Sequence, residues 1–236
     1  MKRKNMATMV TCIALVGAVA VGGTLALLSA NANTLTNTFT IGNGYPKDNA
    51  LVLDEAVVGQ VKEGVSNFGG YKATNHDVRT KETQKYENLV ANTDLDKDPT
   101  FHLAATSPDS WIIAKVTGIN DPVGTNDLKD KNITIKGILP PNYGWLKLDT
   151  TTNAATPISS YDDLTDGYYV TKTTIKAGAS TDDLFEQLHV GTDVVRGTLP
   201  NVVINGVAVE AVTGEWDKDG AAVVAQAKTA DFIPED

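Results

Sequence analysis

The sequence predicts an all-β fold: a jelly-roll-like antiparallel β-sandwich with short helical excursions, preceded by a signal peptide. Apolar and polar residues alternate over short stretches, and Gly, Asn, Asp and Pro separate those stretches. No long helical pattern alternates with the strands, which argues against parallel βαβ units. We therefore expect one sandwich domain (42–236) after the N-terminal leader, large enough for a sizeable core.

The leader has the order of a signal peptide. Lys2, Arg3 and Lys4 form a basic start, residues 9–21 are apolar or small, and small residues follow. Cleavage after Ala26 and cleavage after Ala32 both satisfy the small-residue rule. An uncleaved membrane anchor is the alternative, because residues 9–30 approach the roughly 20 residues of a bilayer span.

Charge and cysteine content exclude several classes of function. The leader holds three of the 20 Lys and Arg and no acidic residue, so its removal changes the formal net charge from −9 to −9 − 3 = −12. Such a surface repels nucleic acid and anionic lipid, so neither is expected as a partner. The single cysteine, Cys12, lies in the leader, which excludes disulfides, thiolate catalysis and cysteine metal sites from the secreted part.

The predicted strands follow the alternation along the chain. Leu35, Phe39 and Ile41 alternate with threonines, which predicts a half-buried strand at 35–41. Residues 111–116 are apolar on nearly both faces, as in a central strand. Further strands are predicted at 133–135, 145–148, 168–170 and 202–212, for a total of seven to nine.

Turn signals separate these strands, and helical signals are few. Asn205-Gly206 between two valine-rich runs is the best hairpin signal of the chain. Ser180 is a candidate cap for a helical turn through Leu188, and residues 220–230 are alanine-rich enough for a short helix. Residues 80–95 fit either a helix or a long excursion from the sheet.

The leader and the segment after it resemble the start of the TasA/camelysin family. Val21-Gly22-Gly23-Thr24-Leu25-Ala26 and Asn37-Thr38-Phe39-Thr40-Ile41-Gly42-Asn43 carry the likeness. Shorter blocks at 97–100, 176–180 and 207–216 are also similar to the family. The stretch 105–109 departs from the family's Asn-Thr-Gly-like turn, and the insert 119–165 is longer than in a minimal member.

The resemblance implies a structural subunit that is secreted by a Gram-positive-type bacterium and forms fibres of a biofilm matrix or cell surface. The resemblance also implies a leader at 1–26 that a signal peptidase of the SipW type cuts between Ala26 and Leu27, followed by an N-terminal strand or assembly arm at 27–41. Only an uncleaved leader would touch the membrane. Partners would be other copies of the chain and related matrix subunits. Subunits of this kind lend an N-terminal strand to their neighbour, and the candidate anchors of that strand are Leu27, Leu28, Leu35, Phe39 and Ile41. Alternatively, 35–41 is the first strand of its own domain and 27–34 is a loose tail. The two interpretations are compatible if only 27–34 is donated.

No enzymatic site or cofactor is predicted. His76, His102 and His189 are far apart and lack a His-Glu-x-x-His pattern, which argues against the zinc site of a camelysin-type metalloprotease. No Gly-x-Ser-x-Gly occurs, and no histidine is visibly placed by an acid for a triad.

The alternatives to the fibre subunit are a secreted metalloprotease of the camelysin type and a carbohydrate-binding surface module, and weak calcium binding is left open beside them. The spacing of Asp94, Asp96 and Asp98 is like that of a calcium loop, but the glycine and the final glutamate of such a loop are missing. A carbohydrate-binding surface module would need exposed tryptophans. Trp111, Trp145 and Trp216 are the candidates, although strand tryptophans are more often core.

Overall fold

The computed structural model describes residues 29–31, 45–46, 48–120, 127–193 and 201–235. These residues form fourteen strands, one α-helix and two short 3₁₀ turns, at Lys129–Lys131 and Tyr161–Asp163. The strands are β1 (Ser29–Asn31), β2 (Leu51–Ala56), β3 (Val58–Gln60), β4 (Tyr71–Ala73), β5 (Arg79–Thr80), β6 (Thr93–Asp96), β7 (Thr100–Leu103), β8 (Ser110–Thr117), β9 (Ile133–Lys136), β10 (Trp145–Leu148), β11 (Ala155–Pro157), β12 (Gly167–Thr171), β13 (Gln187–Val190) and β14 (Val203–Glu210), and the helix is α1 (Trp216–Thr229).

The strands form three sheets with mostly antiparallel pairing. The largest has the order β1-β14-β8-β12-β10-β11, the second β3-β4-β6-β13-β9, and the third β5-β2-β7. The only parallel contact among the described strands joins β4 to β6, through Tyr71 and Leu95. The mostly antiparallel, all-β prediction is therefore confirmed, and more short strands are present than the seven to nine expected.

The main core lies between the six-stranded sheet and the two smaller sheets. From the large sheet, Ile112, Ala114 and Val116 point into it, and Phe101 and Leu188 meet them from the smaller sheets. All five side chains are at most 5% exposed. Burial of this kind stabilises by about 1.5 to 3 kcal/mol for each large apolar side chain.

Helix α1 covers the other face of the six-stranded sheet. Trp111 and Ile113 on β8 point to this face and pack with Val223, Val224 and Ala227 of the helix. Strand β8 is therefore buried on both sides, as its two-faced apolar pattern predicts. The alanine-rich helix is also confirmed, although it begins before residue 220.

The hairpin predicted at Asn205-Gly206 is wrong, since β14 runs straight through both residues. Asn205 pairs with Lys115 and Gly206 with Ala114 in an unbroken ladder with β8. A Cβ on Gly206 would lie 2.2 Å from Phe101 Cε1, so the glycine admits the phenyl ring and makes no turn.

The helical turn expected after Ser180 is also wrong. Ser180 forms a β-bridge with His102, and Leu188 belongs to strand β13. The stretch 80–95 is an excursion with no helix, and its end enters strand β6 at Thr93. In both places long-range pairing outweighs a weak local helical preference.

The leader, the cleavage position at Ala26 and Leu27, and the anchors Leu28, Leu35, Phe39 and Ile41 lie outside the described residues. The division into leader, arm and domain therefore stays a prediction. Within the described ranges, no helix has the length and apolar character needed to cross a bilayer.

Candidate functional site: an open sheet edge and a polar cleft

One edge of the six-stranded sheet receives the N-terminal segment. Ser29, Ala30 and Asn31 pair antiparallel with Val209, Ala208 and Val207. These three residues of β1 lie inside the arm that the sequence predicts at 27–41. The arm and strand β14 thus meet edge to edge, which is the contact that a donated strand requires.

The register shows which groups form this contact. The N–H of Ala211 donates to the carbonyl of Asp109, on the strand β8 side, at 2.9 Å. Because backbone groups alternate sides along a strand, odd-numbered residues of β14 face β8 and even-numbered ones face outward. The amide and carbonyl of Ala208 therefore face Ala30, which is its register partner.

The opposite edge of the same sheet is strand β11, and it contains a proline. Pro157 lies opposite Leu146 in the β10–β11 ladder. The N–H of Asp149 donates to the carbonyl of Ala154, so even-numbered residues face β10 and Pro157 faces outward. The missing N–H is thus one that an added strand would use. Proline at this position makes the edge less able to accept another strand, and we call it the blunted edge.

A buried carboxylate fixes the end of the accepting strand. Asp219 of α1 is 3% exposed and accepts hydrogen bonds from Trp111 Nε1 at 3.0 Å, Thr213 Oγ1 at 2.7 Å and the Gly214 N–H at 3.0 Å. Burial opposes ionisation, but these donors outweigh it and lower the pKa of Asp219 to about 2. The loop after β14 is thereby tied to both the helix and β8.

A polar cleft of about 750 Å³ lies on the smaller sheets. Its walls are charged and polar side chains, among them Lys72, Arg79, Asp98, Thr100 and Asp183. The Arg79 guanidinium binds the carboxylate of Asp98 at 3.1 Å and Thr100 Oγ1 at 2.8 Å. Burial raises the pKa of Asp183, which accepts a hydrogen bond from Thr100 Oγ1 at 2.6 Å.

Each of the three histidines contacts an aspartate, and each contacts a different one. His76 Nδ1 lies 3.0 Å from Asp98 Oδ2, His102 Nε2 lies 2.9 Å from Asp54 Oδ1, and His189 Nδ1 lies 2.8 Å from Asp94 Oδ1. The hydrogen bond to Asp98 raises the pKa of His76. In the described part of the chain, no group of three or more His, Cys, Asp or Glu side chains is arranged to hold a metal ion.

The acidic run at 94–98 lies in strand β6 and just after it, and its oxygens contact other residues of the protein. Asp94 pairs with Lys136 at 2.5 Å and with His189. Asp96 accepts from the Ala73 N–H and from Gln187 Nε2, and Asp98 accepts from the Ala56 N–H and Arg79. The alternating carboxylates thus serve cross-strand bonds, not one shared centre.

The tryptophans do not form an exposed row. Trp111 and Trp145 are each 1% exposed. Trp216 packs edge-on against Trp111, with ring centroids 5.1 Å apart. The stacking platform that a sugar-binding surface would need is therefore missing from the described strands.

The sequence reasoning missed the pairing of His102 with Asp54. Val52 is the register partner of His102 and Thr100 is the partner of Asp54, so the two side chains are diagonal neighbours across β2 and β7. No sequence spacing indicates such a contact, because it depends on the register.

Comparison of the chain with protein-family models, curated proteins and solved structures finds no match.

Proposed function

We propose that this protein is a secreted structural subunit that assembles into extracellular fibres of a biofilm matrix or cell surface. In this proposal residues 27–34 of one copy pair with strand β14 of the next. The observation that carries it is the antiparallel pairing of Ser29–Asn31 with β14 at the sheet edge. The same backbone groups accept the strand whether it comes from the same copy or from a neighbour.

The difference between the two sheet edges supports a head-to-tail polymer, in which every subunit contact has the same orientation. The β14 edge accepts a strand, whereas Pro157 blunts the β11 edge. A head-to-tail contact between two different surfaces produces an open filament, while a self-complementary contact closes a dimer. Strand donation to one edge alone is a contact of the first kind.

The finer parts of the proposal rest on the sequence. The leader 1–26 would direct export and be removed by a signal peptidase of the SipW type, and the sandwich would have jelly-roll topology as in the TasA/camelysin family. Related matrix subunits are further candidate partners. The acidic net charge suits a soluble protein outside the cell.

The alternative functions have less support among the described residues. A camelysin-type metalloprotease needs a metal centre, and the three histidines there each bind a separate aspartate. A carbohydrate-binding module of the tryptophan-row type needs exposed rings, and two of the three rings are buried. No observation favours either one over the fibre subunit.

The proposal is tested with purified protein that begins at Leu27. Light scattering and negative-stain electron microscopy are followed as the protein concentration rises. We expect filaments above a critical concentration, and protein that stays monomeric at every soluble concentration would refute self-assembly.

A further inference from the structure

A serine, a histidine and an aspartate form a continuous chain of contacts at the edge of the polar cleft. Ser180 Oγ lies 2.7 Å from His102 Nδ1, and His102 Nε2 lies 2.9 Å from Asp54 Oδ1. The arrangement is that of a nucleophile, its base and the group that orients the base. The fibre function makes no use of it.

The contacts fix the protons on the imidazole. Asp54 Oδ1 also accepts a hydrogen bond from Arg79 Nε, so this oxygen acts as an acceptor. His102 Nε2 must therefore carry the hydrogen that it donates to Asp54. In the neutral ring Nδ1 is then the acceptor, and the Ser180 hydroxyl donates to it.

The backbone holds the serine against the histidine. Ser180 and His102 are opposed in a β-bridge, flanked by bonds from the Leu103 N–H to the Ala179 carbonyl and from the Thr181 N–H to the Phe101 carbonyl. These flanking bonds make the bridge a non-hydrogen-bonded pair, in which facing side chains are closest. The geometry of the pair is set by the sheet and not by a loose loop.

The serine is accessible and has a free donor beside it. Ser180 is exposed, whereas the side chains of His102 and Asp54 are 34% and 14% exposed. The Ser180 N–H has no acceptor among the described residues. A backbone N–H next to the nucleophile can stabilise the oxyanion that forms when an ester carbonyl is attacked.

We propose that Ser180 is an activated nucleophile for acyl transfer from an ester. The Ser180 oxygen bonds to the carbonyl carbon while His102 Nδ1 takes the hydroxyl proton. The ester bond then breaks, and the leaving alcohol takes that proton from Nδ1. A water molecule attacks the acyl-serine by the same route, which releases the acid and restores the hydroxyl.

The neighbouring cleft indicates the class of ester. His102 lines this cleft together with Lys72, Arg79, Gln187 and several carboxylates. Polar and charged walls favour an alcohol rich in hydroxyl groups and disfavour a long acyl chain. The substrate class is therefore an ester of a short acid with a polar, hydroxyl-bearing alcohol.

A fluorophosphonate probe tests the nucleophile directly, because it phosphonylates activated serines and needs no knowledge of the substrate. Intact-mass spectrometry should show one added phosphonyl group, and peptide mapping should place it on Ser180. Ser180→Ala should abolish this label. His102→Gln should slow it by about 100-fold or more, the contribution expected of a general base.

Ser159→Ala is the matched control, since Ser159 is also an exposed serine and contacts no histidine. It should label like the wild type, and circular dichroism should show that all variants fold. The wild type should also hydrolyse p-nitrophenyl acetate, and Ser180→Ala should not. No label on Ser180, or equal rates in wild type and His102→Gln, would overturn the proposal. The result is independent of fibre formation, so either proposal can fail alone.

Discussion

The two edges of the six-stranded sheet differ in what they offer another chain. At one edge, β14 directs the backbone groups of Ala208 toward an added strand, and residues 29–31 pair there. At the other, one of the outward positions of β11 is Pro157, which has no N–H to donate. A sheet can therefore be open to another strand at one edge and protected at the other. A fibre subunit needs such an open edge, and an isolated sandwich must avoid one.

The interior of the sheet shows why only the edges are free to differ. Strand β8 is bonded on both sides, to β14 and β12, and buried on both faces. A change there acts on folding, because the strand is paired along both sides and packed on both faces. A change at an edge can act on assembly while the fold is retained.

Deletion of residues 27–34 should have the largest effect. The domain keeps strands β2 to β14, so it should fold with nearly wild-type circular dichroism, whereas fibres should be lost completely. Sedimentation of wild-type and deleted protein at equal concentration measures the loss. Normal polymerisation of the deletion would refute strand donation, and failure to fold would show that the segment belongs to its own sheet.

The same deletion provides a second measurement in mixtures. A subunit without an arm retains the β14 edge but has no strand to give onward. It should cap growing fibres and shorten them at substoichiometric ratios, which electron microscopy can quantify. Fibre lengths that do not change with the added fraction would argue against growth by strand donation.

Proline in the arm distinguishes backbone pairing from simple tethering. Ala208 faces Ala30, so Ala30→Pro removes a ladder hydrogen bond, while the N–H of Ser29 faces away from β14. We expect Ala30→Pro to raise the critical concentration about tenfold or more, and Ser29→Pro to change it little. Light scattering at several concentrations gives both values, and equal effects of the two prolines would contradict the register.

Loss of the Asp219 carboxylate should loosen the end of the accepting strand. Asp219→Asn should lower the free energy of unfolding by about 2 kcal/mol, since a buried, multiply bonded charge is lost. Asp217→Asn, in the same first turn but exposed, is the control and should change it by less than about 0.5 kcal/mol. Urea unfolding at neutral pH measures both.

Because of the same carboxylate, we expect the free energy of unfolding to fall at acid pH. Because the folded pKa of about 2 lies below the ordinary value of 3.8, the stabilisation is present above about pH 4 and is lost as pH falls toward 2. The wild type should therefore lose more stability over this interval than Asp219→Asn. If the free energies of unfolding of the two proteins fell equally as the pH is lowered, the hydrogen bonds to Asp219 would not favour its ionised form.

The smallest effect is expected at the blunted edge. Pro157→Thr restores an outward N–H on β11, so it should modestly increase lateral association at high concentration. Folding stability should change by no more than about 1 kcal/mol, because the residue faces solvent and acts mainly through the unfolded chain. Analytical ultracentrifugation compares the 27–34 deletion with and without Pro157→Thr, so that the free β14 edge is common to both proteins. Equal association of the two would show that the proline is not what blocks the β11 edge.

Features that depend on neighbours along the chain can be predicted from the sequence alone. Alternation of apolar and polar side chains predicts the all-β class, because successive side chains of a strand point to opposite faces. The run at 111–116, apolar on both faces, predicts a central strand for the same reason. The alanine-rich stretch likewise predicts α1. Net charge and the single cysteine limit the kinds of partner and site.

Features that depend on strand register are set by the packing of the whole domain. Asn205-Gly206 has the residues of a hairpin turn, yet Phe101 packs against Gly206 and the strand continues. Ser180 has the character of a helix cap, yet it lies opposite His102, whose ring also reaches Asp54. These contacts join residues tens of positions apart, and a shift of one residue in the pairing would turn each side chain to the other face. The local sequence pattern does not determine the register of strand pairing, whereas the packing of the sheets does.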